Sequence, residues 1–135
     1  MKKQKQIISG NVAIFFILFC LIAISQNVVT AQALVTGEYG TASGKRIVLN
    51  LHISNPAPTN LIVEQFLSPS NEITGTSPGA KKISSGKIKW LFRNTSSGTL
   101  SISIRLKSNL KGNVRAIVRY RDPASGKFLE QSVSP

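Results

Sequence analysis

One histidine, one cysteine and five carboxylates in 135 residues leave little from which a catalytic or metal centre can be assembled. His52 has no second imidazole to join, so any site built on paired histidines is out. Cys20 lies inside the apolar run VAIFFILFCLIAIS, which excludes a disulfide framework and a cysteine-based zinc site. Glu38, Glu64, Glu72, Asp122 and Glu130 are scattered, with neither the D-x-D spacing of a calcium loop nor a close pair for acid–base work. Gly75-Thr76-Ser77-Pro78-Gly79 satisfies G-x-S-x-G, but a nucleophile elbow needs a helix after the serine and a histidine further on. Here Pro78 follows the serine directly and His52 precedes it, so the segment reads as a turn. Gly40-Thr41-Ala42-Ser43-Gly44-Lys45 has fewer residues between its glycines than a phosphate loop needs, and no helical pattern follows. No catalytic residue, metal ligand or cofactor is expected.

Positive charge is what the chain has in excess. It carries 17 Lys+Arg against 5 Asp+Glu, a net +12. Arg105, Lys107, Arg115, Arg119 and Arg121 each fall out of phase with the apolar residues around them. If Ser108–Gly112 closes a hairpin, Arg105 lies near Arg115 and all five share one outward face. Lys87, Lys89 and Arg93 join that face if their strand belongs to the same sheet. Like charges opposite one another cost roughly a few tenths of a kcal/mol or more. The plain expectation is a solvated face whose charges are splayed by sheet twist and screened by salt. The functional expectation is an anion-binding face for a wall polymer, lipopolysaccharide, acidic polysaccharide or acidic protein. Nucleic acid is not expected, because no aromatic residues interleave with the cations and a generic positive balance is weak evidence.

The elements that position these residues read as short strands. Arg46–Ser54 sets Ile47, Leu49, Leu51 and Ile53 against Asn50, His52 and Ser54. Lys87–Arg93 sets Ile88, Trp90 and Phe92 inward, and Thr99–Lys107 does the same with Leu100, Ile102, Ile104 and Leu106. Asn113–Arg121 follows with Val114, Ala116, Val118 and Tyr120. This two-residue period, rich in β-branched residues, marks half-buried strands. Asn60–Leu67 is a less regular strand, Lys127–Val133 closes the fold, and part of Leu34–Tyr39 pairs at an edge. Asn55–Pro58, Asn94–Gly98, Ser108–Gly112 and Asp122–Gly126 are turns, the last with Asp, Pro and Gly in their favoured places. Ser68–Gly86 reads as the least ordered stretch. About seven strands in roughly 100 residues predict an all-β, Ig-like antiparallel sandwich.

The N-terminus points to export. Lys2, Lys3 and Lys5 precede the uncharged run Val12–Ser25. That run is short of the roughly 20 residues a membrane-spanning helix needs and suits a signal-peptide core. Ala31-Gln32-Ala33 matches the small-x-small cleavage pattern, so residues 1–33 read as a signal peptide and 34–135 as one domain. The alternative is an anchor retained over residues 12–29, giving a membrane-tethered periplasmic domain. Beyond residue 33 there remain 14 basic and 5 acidic residues, a balance of +9.

The order Ile53-Ser54-Asn55-Pro56, Asn60-Leu61-Ile62-Val63, Pro69, Gly86-x-Ile88-x-Trp90 and Gly98 before Leu100-x-Ile102-x-Ile104 resembles the DUF11 repeat domain. That is an Ig-like module of bacterial and archaeal surface proteins, and the resemblance covers about residues 46–121. The chain departs from the pattern at Glu64-Gln65-Phe66-Leu67-Ser68-Pro69-Ser70, where a carboxylate–x–Leu–Pro–x–Gly segment is usual. The resemblance implies a non-catalytic extracellular spacer or interaction module and carries over no functional residues. Two functions follow as expectations: a surface or matrix component acting through its basic face, or a subunit of a surface assembly joined through strand edges, with Leu34–Tyr39 or Lys127–Val133 as the donated strand. N-terminal sequencing of the exported form should find Leu34 first; Met1 intact on membrane-bound protein would instead mark the retained anchor.

Overall fold

Alternation of apolar and polar residues dominates the chain beyond residue 33, and in the computed structural model every regular element of the described residues, 32–135, is a β-strand. The proposed signal run and its anchor alternative lie outside the described residues. The strands are β1 (Val35–Ser43), β2 (Arg46–Ile53), β3 (Asn60–Phe66), β4 (Ile73–Ser77), β5 (Lys82–Ser84), β6 (Lys87–Arg93), β7 (Gly98–Leu106), β8 (Arg115–Arg121) and β9 (Phe128–Val133). They form two antiparallel sheets, one ordered β1-β2-β7-β4 and the other β5-β6-β3-β8-β9.

The inward residues of both sheets belong to one apolar cluster. Ile47, Leu49 and Leu51 of β2 and Ile102 and Ile104 of β7 join Leu61 and Val63 of β3, Ile88 and Trp90 of β6 and Val118 of β8. Each is an every-second-residue position, as the period requires. Trp90 is the largest, 1% exposed, and its indole N–H donates to the Pro78 carbonyl at 3.0 Å, so burial leaves no polar atom of the ring unpaired. Gln65 is buried among these apolar groups. Its amide donates to the Phe66 and Arg115 carbonyls and its oxygen accepts from the Tyr39 hydroxyl at 2.9 Å. Burial pushes the Tyr39 phenol up to about 12.

Three expectations need correction. The first concerns strand number, which is nine among the described residues rather than about seven. The stretch Ser68–Gly86, expected to be the least ordered, supplies the extra pair, β4 and β5. Its polar residues do not oppose strand formation because β4 and β5 are edge strands. Gly86 makes the β5–β6 turn, with φ +72° and an approach to the Leu67 carbonyl too close for any side chain.

The second and third corrections concern Asn94–Gly98 and Ser108–Gly112, read as short turns of hairpin length. Both connections carry the chain from one sheet to the other, since β6 and β8 lie in the five-stranded sheet and β7 in the four-stranded one. Sheets packed about 10 Å apart can be linked by as few as four residues at about 3.3 Å each, as between β6 and β7, and the β7–β8 connection is longer still, so hairpin length does not imply a hairpin. Asn71 pins the second crossing. It is buried, its amide donates to the Lys111 carbonyl at 2.9 Å, and its oxygen accepts from the Lys111 N–H at 2.8 Å.

Trp90→Ala should cost about 3–5 kcal/mol, a large share of the stability of a domain this size. Urea unfolding measures it; an unchanged midpoint would mean that the indole does not sustain the core.

Candidate functional site

Because β3, β6 and β8 turn alternate residues into the core and β9 pairs in register with β8, their remaining side chains stand together on the outer face of the five-stranded sheet. The register places Phe66 between Lys87 and Arg115, Glu64 between Lys89 and Ile117, and Ile62 between Leu91 and Arg119. Arg119 faces Glu130, and Arg121 faces Phe128. Lys82 of β5 lies opposite Lys89. Seven cations, with Arg93 at the end of β6, therefore share a face with two acids, Glu64 and Glu130.

Local contacts hold this array open. Lys87 Nζ and Arg115 both lie over the Phe66 ring, each 5.2 Å from its centre, and the Arg121 guanidinium lies 5.5 Å from the centre of Phe128. Such cation–ring contacts are worth about 0.5–1 kcal/mol when exposed. Arg121 also donates to the Gly126 carbonyl at 2.7 Å. That carbonyl is placed by the turn in which Ser125 and the Ala124 N–H hold the Asp122 carboxyl below its usual range.

Glu64 is the centre of the face. Its side chain is 6% exposed, with Lys87 Nζ at 2.8 Å, Lys89 Nζ at 3.8 Å and Arg119 Nη1 at 2.5 Å. The hydrogen bond from Lys87 is the main cause holding its carboxyl below the usual range, with burial opposing and Arg119 assisting. Arg119 spans to Glu130 at 2.6 Å, and these two bonds, the one to Glu130 first, push the guanidinium further up. Lys82, Ser84, Lys87 and Lys89 rim a small depression with Glu64 at its base.

The residues expected to act together are divided. Arg115, Arg119 and Arg121 do share this face, and Lys87, Lys89 and Arg93 join them. Arg105 and Lys107 do not: β7 pairs with β2 and β4, and Arg105 belongs to the opposite sheet. Lys107 is ion-paired to Glu72 at 3.0 Å, both well exposed. The expectation that no aromatics interleave with the cations is also corrected, by Phe66 and Phe128. Phe128, at 76% exposed, was hidden from sequence reasoning because only the β8–β9 register sets it opposite Arg121. Glu64 was hidden because β3 is apolar on both faces and gives no clear phase.

Elsewhere, His52 lies on the outer face of the four-stranded sheet between Glu38 at 3.3 Å and Thr99 at 3.2 Å. Ser77 ends β4 opposite Ser103, while His52 lies opposite Thr99, further along β7. Searches among family models, curated proteins and solved structures find no match to this chain.

Glu64→Gln should lower stability at neutral pH by about 2 kcal/mol, the scale of lost hydrogen bonds to charged groups. The carboxyl is held below its usual value near 4.5, so its contribution is present above that pH and disappears as pH falls through the lower, folded value. Urea titrations from neutral to acid pH should show the two proteins converging at the acid end.

Proposed function

We propose that the protein is a non-enzymatic, exported Ig-like module that binds an anionic polymer through the outer face of its five-stranded sheet. The observation that carries this reading is the array of seven cations against two acids on one face, with Phe66 and Phe128 among them. After Glu64 and Glu130 are counted against their partners, the face keeps a net positive charge spread over adjacent strands. A repeating anion such as an acidic polysaccharide or wall polymer matches that spread better than a small ligand does. Charge of this kind also speeds encounter with a polyanion and makes binding fall with salt.

Export is supported by the lysines before the apolar run and by Ala31-Gln32-Ala33, with a tethered form over residues 12–29 as the variant reading. The Ig-like sandwich is supported by the strand order. β1-β2-β7-β4 corresponds to A-B-E-D of a seven-stranded Ig domain and β3-β8-β9 to C-F-G, with the β5–β6 hairpin added beside β3. Likeness to the DUF11 module belongs to the same reading.

A competing reading is assembly through strand edges. Exposed Phe128 and Leu129 on the edge strand β9 favour it. Both strands expected as donors, however, already pair within the chain, β1 with β2 and β9 with β8.

Arg115→Gln with Arg121→Gln tests the proposal against the matched pair Lys45→Gln with Lys111→Gln. On immobilised heparin the first pair should elute at lower salt than the second, with the salt slope reduced by about one for each cation that no longer meets the polymer. Equal shifts would reduce the face to a share of net charge, and salt-independent self-association in size exclusion would favour the edge reading.

A further inference from the structure

We propose that the four-stranded sheet carries a second oxyanion site, built by Arg46 and Arg105 with the hydroxyls of Ser77 and Ser103. It does not rest on the reading of the five-stranded sheet.

Arg46 and Arg105 stand directly opposite one another across β2 and β7, and both are exposed. Two guanidinium groups in that relation repel, whereas Lys87, Lys89 and Arg119 on the other sheet share the carboxylate of Glu64. Arg46 and Arg105 have none: among the described residues no carboxylate forms an ion pair with either. The chain has five acidic side chains in all, and each is already engaged. Glu64 and Glu130 serve the opposite sheet, Glu72 holds Lys107, Glu38 meets His52, and Asp122 is held by its own turn. A counter-charge for this pair would therefore come from outside the chain's side chains.

The two guanidinium groups are also positioned rather than splayed. Arg46 Nε donates to Ser103 Oγ at 3.1 Å, which fixes its fork and leaves its terminal N–H groups free. Arg105 lies over Gly75, where even a methyl group would come within 3.1 Å of Nη2. The register shift between Ile73 and Gly75 sets that glycine opposite Arg105, and Thr74 Oγ1 donates to the Arg105 carbonyl at 3.2 Å. Arg46, Ser77, Ser103 and Arg105 together line a shallow depression. Paired guanidinium forks and hydroxyl donors around one hollow suit a sulfate, phosphate or carboxylate group, which accepts several charge-assisted hydrogen bonds at once.

The test compares the purified protein with R46Q/R105Q by thermal melting in sodium chloride, sulfate and phosphate at equal ionic strength, and with short oligosaccharides from heparin and from polygalacturonate. In chloride the variant should melt at or above the parent, because like-charge repulsion has been removed. In the presence of the oxyanion the parent should gain more than the variant, with the variant's apparent Kd weaker by about tenfold or more. A gain with the inorganic ions alone assigns the site to a free anion, and a gain with either oligosaccharide at lower concentration assigns it to a polymer-borne group. An equal gain in both proteins overturns the proposal, as does a variant that melts well below the parent in chloride. R115Q/R121Q, carried through the same series, keeps the two sites apart: loss of response there alone would leave Arg46 and Arg105 without a role.

Discussion

The arrangement depends on burying an apolar core in a chain that carries nearly three cations for each acid beyond residue 33. A two-residue period satisfies both demands. Inward positions take Ile47, Leu49, Leu51, Val63, Ile88, Trp90 and Ile104, and the charged residues between them are directed outward. Two sheets sharing one core have only two outer faces, so the cations gather into arrays. The charge pattern is therefore a consequence of how this chain makes its core, and the consequence is positive charge concentrated on the outer faces.

An array of like charges costs stability, and the structure limits that cost locally. Lys87 and Arg115 share the face of Phe66, Arg121 takes Phe128 and the Gly126 carbonyl, and Arg119 lies between Glu64 and Glu130. Glu64 matters most among these, because its buried carboxylate is close to three cations at once. It also sets how much of the face stays available, since every cation it engages has less to offer an external anion. At Arg46 and Arg105, which no carboxylate of the described residues pairs, the repulsion is left for solvent, salt or a ligand to relieve.

The crossings between sheets decide which cations meet. β7 and β8 follow one another in the chain with a turn of hairpin length, Ser108–Gly112, between them, yet β7 is already flanked by β2 and β4, and β8 by β3 and β9. Asn71, held to both backbone groups of Lys111, keeps the connection against the β3–β4 segment instead. The result separates Arg105 from Arg115 and joins Arg115 to Lys87 through Phe66, residues far apart in the chain.

Local pattern determined much of this protein. The alternation in Arg46–Ile53, Lys87–Arg93, Gly98–Leu106 and Arg115–Arg121 was enough to mark those strands, their inward residues and the inward place of Trp90, because strand period is a property of each segment alone. The outward direction of the basic residues was legible for the same reason. Strand partners were not, since a hairpin and a crossing of equal length have the same turn residues. Nor were β4 and β5, whose polar edge sequences have no period to read. Only the tertiary structure decided that Glu64 sits beneath three cations, that Phe66 and Phe128 lie among them, and that Arg46 faces Arg105. Each of those contacts is set by register between strands, which depends on the fit of both inner faces around one core and is written in no single segment.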